Sequence, residues 1–461
     1  MVLVADSPAP TAASPPSDTN PAHGSEKVSS WGSQVAEGRI RRGENLSRLA
    51  AGANLSRGLG RSYGDSSLPS APSQAVVETV LADRILAFDP ESGRIRAEAG
   101  LSLFELNRLL LRRGYFPPIS PGTQFVTLGG MVASDVHGKM SHEKGCFGSH
   151  HVRSLSLRLA DGRVLSCSPT EHGELFRATA GGMGLTGHIL EVEFDLEKIA
   201  SPWIYSESRR IVDIDHFLEA LKEGSEIWPH GVGWIDCVST GKHLGRGILD
   251  CGRWATPEES GGRPLPAKRR ATVPFYFPEW VLNRLSIRTF NTLYYHKHLQ
   301  KHRSGLRHPD DFFYPLDAVL HWNRVYGRRG FTQYQCVLPD AAGPKAARRF
   351  LSVLTRLGGA SPICVIKDCG AQGQGLLSFP MPGISIAVDI AIRDDTQKLV
   401  DQLNEVVIDE GGRVYLTKDL FTRPEHFQQM EPRLAEFLSA RETWDPEHRI
   451  SSAQSVRLFG R

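Results

Sequence analysis

The sequence predicts an α+β fold built from two or three structural units. Short apolar runs bounded by glycine, aspartate and proline predict strands, and amphipathic segments with helical spacing are interspersed among them. The length of 461 residues exceeds that of a usual single domain, and no internal repeat is visible. With 40% hydrophobic residues the chain can bury substantial cores, which excludes fibrous, mainly disordered and disulfide-scaffold proteins.

Strands are predicted mainly in the first half of the chain. Asp161 and Gly162 are typical of a hairpin turn between two of them. The predicted strands are residues 75–80, 94–99, 152–159, 163–167 and 189–196.

Three amphipathic helices are also predicted. Ser102 and Glu105 form the signature of a capping box, and apolar residues then recur at helical spacing until Gly114. The same spacing predicts helices at residues 345–357 and 396–408, each followed by a pair of glycines that would end it.

The N-terminal segment, residues 1–27, is rich in alanine, serine and proline and has little apolar surface to bury, so we expect a disordered tail. It lacks the positive start of a secretory signal. No run in the chain reaches the roughly 18 apolar residues needed to cross a bilayer. We therefore expect a cytoplasmic protein.

Charge and cysteine content exclude further classes. The formal charge of +3 is too small to indicate nucleic-acid binding, which needs many cations. The seven cysteines are odd in number, scattered and free of Cys-x-x-Cys pairs, so we expect reduced, mostly buried thiols. His142, His150 and His151 lack the spacing of metal ligands, and we predict no metal site.

Three glycine-rich loops are the strongest indication of a ligand. They are residues 57–65, 121–138 and 181–187. The first can aim several backbone N–H groups at one phosphate, but its spacing fits neither the Rossmann fingerprint nor the P-loop. Any one loop is compatible with a plain turn. Three of them in one strand-rich region favour a large cofactor.

With these loops the chain resembles the FAD-linked oxidases of the vanillyl-alcohol oxidase/PCMH family, whose C-terminal signature is similar to residues 444–452. The resemblance extends over residues 31–455. A narrower branch of that family, which acts on a polyprenyl-phosphoryl sugar, is indicated by further runs at residues 57–65, 135–139, 314–317, 322–324, 333–335, 379–383 and 417–419.

The resemblance implies a two-domain α+β FAD-linked oxidase of PCMH type, with a substrate domain built on an antiparallel sheet flanked by helices. The FAD-binding domain would span residues 28–198 and the substrate-binding domain residues 199–411. Residues 412–461 would return to complete the FAD domain.

The resemblance also implies a reaction. FAD would oxidise the 2′-hydroxyl of decaprenylphosphoryl-β-D-ribose to the 2′-keto sugar, the first half of epimerisation to the arabinose donor of cell-wall arabinan. A separate NAD(P)H-dependent keto-reductase would complete the epimerisation. Two alternatives stay open: a soluble sugar, alditol or aldonolactone oxidase on the same fold, and a non-catalytic polyprenyl-phosphate binding flavoprotein.

The family pattern assigns cofactor contacts to residues of the three loops and to one C-terminal tyrosine. Tyr63 stands where many relatives carry a histidine bonded covalently to the flavin, so we expect non-covalent FAD. The FAD-binding residues would be Gly58, Leu59, Gly60, Arg61, Ser62, Tyr63, Gly64, Gly122, Thr123, Thr127, Gly129, Gly130, His137, Gly182, Gly184, Thr186, Gly187, Ile189 and Tyr415.

Lys418 is the first candidate for activating the sugar hydroxyl, because a buried lysine can lose its proton near neutral pH. His137 and Tyr314 are the other catalytic candidates. Without the resemblance, Lys418 would be read as an ion-paired surface residue and His137 as a structural histidine. Ala387 departs from the family, whose actinobacterial members have cysteine there. The substrate pocket would comprise Trp234, Tyr314, Gln335, Lys367, Ser385, Ala387 and Lys418.

Two basic segments could contact a membrane. Residues 254–271 end in a Lys-Arg-Arg cluster, and residues 294–307 mix aromatic residues with four Lys or Arg residues. Such runs are usually solvated faces, but a polyprenyl-phosphate must be taken from an anionic surface that attracts cations. We therefore expect peripheral contact with the inner membrane.

Overall fold

The computed structural model describes residues 25–460, and most of the predicted tail lies outside these residues. The predicted end of the tail at residue 27 is wrong, because Glu26 and Lys27 already pair with Gly38 and Glu37 in a sheet. The polar composition of this stretch hid a strand that needs only one buried side chain, Val28.

The first part of the chain forms several small sheets. Its helices are α1 (Leu46–Leu49), α2 (Leu103–Leu110), α3 (Leu128–Ala133), α4 (Ser141–Lys144), α5 (Phe147–His151) and α6 (Gly173–Thr179). Its strands are β1 (Glu26–Ser29), β2 (Val35–Arg42), β3 (Leu55–Arg57), β4 (Ala75–Glu78), β5 (Ile85–Asp89), β6 (Arg94–Glu98), β7 (Tyr115–Phe116), β8 (Val152–Arg158), β9 (Val164–Cys167), β10 (His188–Asp195) and β11 (Glu197–Lys198).

The middle of the chain supplies most of the largest sheet. Its helices are α7 (Ile214–Ile227), α8 (Pro257–Ser260), α9 (Arg284–Lys297), α10 (Pro309–Phe313), α11 (Pro344–Arg356) and α12 (Thr396–Asp409). Its strands are β12 (Ile204–Ile211), β13 (His230–Ile235), β14 (Gly247–Trp254), β15 (Ala271–Thr272), β16 (His302–Arg307), β17 (Val319–Leu320), β18 (Phe331–Pro339), β19 (Cys364–Cys369) and β20 (Gly383–Ala391). The last elements are β21 (Arg413–Val414), α13 (Pro424–Met430), α14 (Leu434–Trp444) and α15 (Ala453–Phe459).

The strands form sheets of eight, five and four strands and two sheets of two strands. The four-stranded sheet has the order β1-β2-β4-β3, and the five-stranded antiparallel sheet has the order β5-β6-β10-β8-β9. An eight-stranded antiparallel sheet has the order β16-β12-β14-β13-β19-β20-β18-β21. The α+β prediction is confirmed, and an antiparallel sheet with helices on it dominates the middle of the chain.

The predicted strands and the two later helices are found within two residues of their expected limits, whereas α2 ends at Leu110 and a 3₁₀ turn, Leu111–Arg113, continues it to Gly114. The predicted strands correspond to β4, β6, β8, β9 and β10, and β8 pairs with β9 across a turn in which Gly162 has φ +95°. The later two helices correspond to α11 and α12. At α2 only half of the capping box forms: Ser102 accepts from the Glu105 N–H, but the Glu105 carboxylate binds Arg108 instead.

The eight-stranded sheet separates an apolar core from a polar face. Helices α7, α11 and α12 cover one face, where Tyr334 and Cys336 of β18 join the buried cluster. Because side chains alternate along a strand, Gln333 and Gln335 point the other way. The polar face therefore carries functional groups on a rigid support.

The C-terminal segment links the sheets. Its strand β21 joins the eight-stranded sheet beside β18. The residues after 412 therefore do not pack with the predicted FAD-binding domain, residues 28–198, alone. Farther on, Ser451 donates to the carbonyl of Asn54 and Ala453 to that of Leu68. The limits 28–198, 199–411 and 412–461 stay a prediction.

The side chain of Arg457 in α15 is the main electrostatic link of this returning segment. It binds both carboxylate oxygens of Asp65 at 2.9 Å and Asp419 at 2.9 Å. Both aspartates are buried, so neither can replace this partner with bulk water.

We predict that Arg457→Met lowers the free energy of unfolding by about 3 kcal/mol, because two buried carboxylates lose their cation. The expected loss is at the lower end of the usual range since a quarter of the Arg457 side chain is exposed. Urea or thermal unfolding measures the change. The control is Arg449→Met, which removes only an exposed ion pair with Glu447 and should cost less than about 1 kcal/mol. Equal losses in both variants would contradict this role of Arg457.

Candidate functional site

A cavity of about 470 Å³ lies between the glycine loops and the polar face of the eight-stranded sheet. Gly64, Gly182, Thr186, Tyr314 and Ser385 are predicted site residues that do not line it. The predicted site residues in its walls are Gly58, Leu59, Gly60, Arg61, Ser62, Tyr63, Gly122, Thr123, Thr127, Gly129, Gly130, His137, Gly184, Gly187, Ile189, Trp234, Gln335, Lys367, Ala387, Tyr415 and Lys418.

The first glycine loop presents free backbone N–H groups to this cavity. Its far end is fixed by hydrogen bonds from Trp31 N to Ser62 O and from Tyr63 N to Thr417 O. Within the described part of the chain, the N–H groups of residues 58–62 donate to no protein acceptor. Gly60 has φ +63°, which brings successive N–H groups to one side. The loop is therefore a nest for an anion.

The nest is braced from behind by the buried guanidinium of Arg57. It donates to the carbonyls of Ser29 and Ser67, at 2.6 and 3.0 Å. A Cβ added at Gly60 would lie 2.1 Å from an Arg57 nitrogen, and one at Gly58 would lie 2.3 Å from the Thr127 hydroxyl. Both glycines are required by close approach, and Gly60 is also required by its backbone conformation.

The second loop is held by a carboxylate that sequence reasoning missed. Asp317 accepts from the Thr123 hydroxyl at 2.7 Å and from the backbone N–H of Gln124 at 2.9 Å. Thr127 caps α3 by accepting from the Gly130 N–H. Asp317 lies in a run that resembles the family, which is the signal that could have identified it.

The third loop closes the same wall. Gly184 has φ +77° and lines the cavity, where an added Cβ would meet no protein atom within 4 Å. Thr186 has a structural position, because its hydroxyl is bonded to that of Thr179 at 2.8 Å. A Cβ at Gly182 would lie 1.9 Å from the Ala178 carbonyl, so this glycine permits packing.

These walls fit FAD. The nest matches a pyrophosphate, because its unpaired N–H groups can donate to phosphate oxygens. Gly122 and Gly184 leave open space at the cavity wall, so a large ligand can approach the backbone. Tyr415 is fixed in the wall by its hydroxyl, which donates to the Ser134 carbonyl at 3.0 Å.

A chain of hydrogen bonds orients His137 at the other end of the cavity. The Gln335 amide nitrogen donates to His137 Nε2 at 2.8 Å and to Ser385 Oγ at 3.1 Å. The proton of the imidazole therefore resides on Nδ1, which has no partner among the described residues. Burial, aided by Lys367 and Lys418, lowers the pKa of His137 well below its usual value. The ring is a neutral donor with a free N–H.

Three lysines line this end of the cavity: Lys139 is buried, and Lys367 and Lys418 are half-buried. Burial lowers the pKa of Lys418 to about 7, and Lys367 lowers it while Asp389 raises it. The ammonium of Lys418 lies 3.5 Å from the centre of the Tyr63 ring. Burial also lowers the pKa of Lys367, and it lowers that of Lys139 to about 7. Near neutral pH this end of the cavity can accept a proton and attract an anion.

Asp389 is the acidic counterpart of Lys418 and was not predicted from the sequence. Gln333 donates to one carboxylate oxygen at 2.6 Å and the Tyr326 hydroxyl donates to the other at 3.0 Å. Burial raises the pKa of Asp389 to about 7, against these hydrogen bonds. The carboxylate is fixed by neutral donors, so its charge acts on the lysine without a direct ion pair.

Lys139 was also missed as a site residue, although it follows His137 by two positions. It lines the cavity and donates to the carbonyl of Phe312. Arg307 lines the same region and pairs with Asp250 at 3.2 Å. These cations make this end of the cavity suited to a phosphate group.

The structure does not bring Tyr314 to the cavity. Its hydroxyl lies 3.0 Å from the Asn107 amide and 2.5 Å from the Ser120 hydroxyl, and the side chain is fully buried. Ser120 itself lines the cavity. Tyr314 therefore supports the wall through Ser120. Ser385 likewise does not line the cavity: its hydroxyl accepts from Gln335, and it pairs with Lys367 across the sheet.

Comparison with known proteins agrees with this geometry. Residues 46–168 match the FAD binding domain family. The chain is 34% identical over 415 residues to the decaprenylphosphoryl-beta-D-ribose oxidase of Mycolicibacterium smegmatis, covering 88% of each chain. It is 30% identical to an uncharacterized Streptomyces coelicolor protein encoded in the mprA 5′ region, over 78% of this chain and all of that one. A putative D-arabinono-1,4-lactone oxidase of Neurospora crassa is 31% identical over only 24% of this chain and 20% of its own.

We predict that Gly60→Ala lowers the affinity for FAD by at least about tenfold, because the methyl group displaces Arg57 and opens the nest. Titration of apoprotein with FAD, followed by fluorescence quenching, measures it. The matched control is Gly52→Ala, since Gly52 also has φ +63° but faces open space outside the cavity. An unchanged affinity in Gly60→Ala would contradict the assignment of this loop.

Proposed function

The chain belongs to the family of the FAD-binding decaprenylphosphoryl-β-D-ribose oxidases, and from this we propose that it oxidises the 2′-hydroxyl of decaprenylphosphoryl-β-D-ribose to the 2′-keto sugar. It is an FAD-dependent oxidoreductase acting on a CH–OH group. The observation that carries the choice of substrate is the cluster of buried and half-buried lysines at one end of the cavity, where a phosphodiester and a sugar would lie together.

The same observation separates the substrate classes. Free sugars, alditols and aldonolactones carry no phosphate, so they offer no anion to Lys139 and Lys367, and the lowered pKa of each lysine then favours its neutral form. The phosphodiester of a prenyl-phosphoryl sugar is a permanent anion and would compensate them. The resemblances to aldonolactone oxidases also cover only 24% and 40% of the chain.

Each residue has a proposed task in the reaction. FAD, when bound, supplies the acceptor for the hydride that leaves C2′. Neutral Lys418 takes the proton of the 2′-hydroxyl, and the free Nδ1–H of His137 orients that hydroxyl or the cofactor edge. Lys139 and Lys367 bind the phosphodiester oxygens. Gln335 keeps His137 in the required tautomer, and Trp234 and Ala387 line the sugar pocket.

The partners and location follow from the product and the substrate. A 2′-ketone must be reduced to complete epimerisation, so we propose a separate NAD(P)H-dependent keto-reductase as the next enzyme in cell-wall arabinan synthesis. Among residues 25–460 no helix is long and apolar enough to span a bilayer. We propose peripheral contact of a cytoplasmic protein with the inner membrane, where the lipid-linked substrate resides.

Anaerobic titration tests the reaction. Decaprenylphosphoryl-ribose is expected to bleach the flavin absorbance in stoichiometric amounts, whereas ribose, alditols and aldonolactones leave it unchanged. Bleaching by free polyols would support a soluble oxidase instead. No bleaching by any of these would support a non-catalytic binder.

Lys418 should impose a pH dependence on the hydride step. With a pKa of about 7, its base form predominates above pH 7, so we expect the rate of flavin reduction to rise from pH 6 to 8 and then level. Lys418→Arg cannot lose its proton and should slow the step by about 10²–10⁴-fold. The control is Lys398→Arg on the exposed side of α12. A pH-independent rate would contradict this role.

Because Tyr63 stands where many relatives carry the linked histidine, we predict that FAD is bound non-covalently and can dissociate from the protein. Its ring packs against Phe331 with centroids 5.2 Å apart, and a phenol does not form the usual histidyl linkage. Acid precipitation should leave all yellow colour in the supernatant. Colour retained in the protein pellet would show a covalent bond.

A further inference from the structure

Helix α9 has an outward face that is unusually apolar. The helix is attached to the protein through Ile287, Asn291 and Tyr295, which recur every four residues and are buried. Asn291 donates to Asp236 at 2.9 Å, and the Tyr295 hydroxyl donates to the Ile211 carbonyl at 3.1 Å. A helix fixed along one side normally carries polar residues on the other.

The opposite side of α9 carries large hydrophobic residues instead. Leu285, Leu293 and Phe290 are 75%, 67% and 50% exposed, and helical spacing brings them to one side. Trp280 before the helix and Leu299 after it are 75% and 88% exposed. We call these five residues the α9 surface. Exposed apolar groups in such a cluster indicate an interaction site.

The charge around the α9 surface identifies the partner. Residues 280–308 contain six Lys and Arg residues and no Asp or Glu. In the part of the chain that the structure describes, Arg284, Arg288, Lys297, Lys301 and Arg303 have no carboxylate within 4 Å. Two copies of this face would repel each other, whereas an anionic lipid surface attracts the cations and accepts the apolar side chains.

The α9 surface is continuous with the cavity. Phe290 and Tyr294 lie one turn apart, their rings are stacked with centroids 6.0 Å apart, and both line the cavity. The Tyr294 ring contacts that of Trp234, another lining residue, at 4.7 Å. An aromatic wall thus extends from the half-exposed Phe290 to the pocket that contains Lys367.

We propose that the α9 surface docks on an anionic bilayer and that the prenyl chain of the substrate enters the cavity along Phe290, Tyr294 and Trp234. The docking rests on the proposed function for its purpose, because only a lipid-linked substrate requires it. The leucines insert into the acyl boundary while the cations of residues 284–303 contact the lipid phosphates.

Vesicle flotation tests the docking with the FAD-loaded enzyme. Wild type is expected to float with vesicles of phosphatidylglycerol and phosphatidylcholine in equal parts, to float less at high salt, and not to float with phosphatidylcholine alone. The double variant Leu285→Asp and Leu293→Asp should bind the anionic vesicles at least about tenfold more weakly. The matched control is Leu81→Asp with Leu86→Asp, two exposed leucines of the first region.

A second readout separates docking from catalysis. A ribosyl phosphodiester with a short, water-soluble prenyl chain should bleach the flavin equally in wild type and in the Leu285 and Leu293 variant, since neither leucine lines the cavity. Undiminished flotation of that variant, or salt-independent flotation of wild type, would overturn the docking even if bleaching succeeds. A wild-type dimer that the variant converts to monomers, without any vesicle binding, would also overturn it.

Discussion

The site depends on one close approach between two distant backbone segments. Tyr63 N donates to the carbonyl of Thr417, and a Cβ at Gly64 would lie only 1.8 Å from the carbonyl oxygen of Asp419. Gly64 is therefore required because the backbone of Asp419 packs directly against it, although Gly64 itself does not line the cavity. This approach fixes the distance between the anion nest and Lys418, so the cofactor loop and the proposed base form one unit.

The eight-stranded sheet supplies the second requirement, which is a rigid row of polar groups. On β18 and β20, residues facing the helices are apolar and buried, whereas Gln333, Gln335 and Asp389 lie on the other face. Their amides and carboxylate bond to one another or to His137 and Ser385. A sheet flanked by helices thus orients the groups that act on protons without exposing them to bulk water.

Much of this could be predicted from the sequence, for identifiable reasons. Glycines at forbidden backbone angles and apolar residues at helical spacing are local signals, so the three loops, α11 and α12 were found. Asp317 and Asp389 were missed because a carboxylate that binds residues far away in the chain leaves no local pattern. Tyr314 was given too direct a role, since no sequence signal indicates that its hydroxyl turns toward Asn107. The first strand was hidden in a polar stretch with a single buried side chain.

The return of the C-terminal segment has a consequence for biosynthesis. Arg457 and Asp65 are 392 positions apart in the sequence. The Thr417 carbonyl accepts a hydrogen bond from Tyr63, whose loop leaves the ribosome long before Thr417 does. The early sheets can form during translation, but the flavin pocket is incomplete until Tyr415, Thr417 and Lys418 have emerged. The complete coenzyme site therefore cannot form before the C-terminal segment docks, and a chain lacking that segment would leave the glycine loops open to solvent.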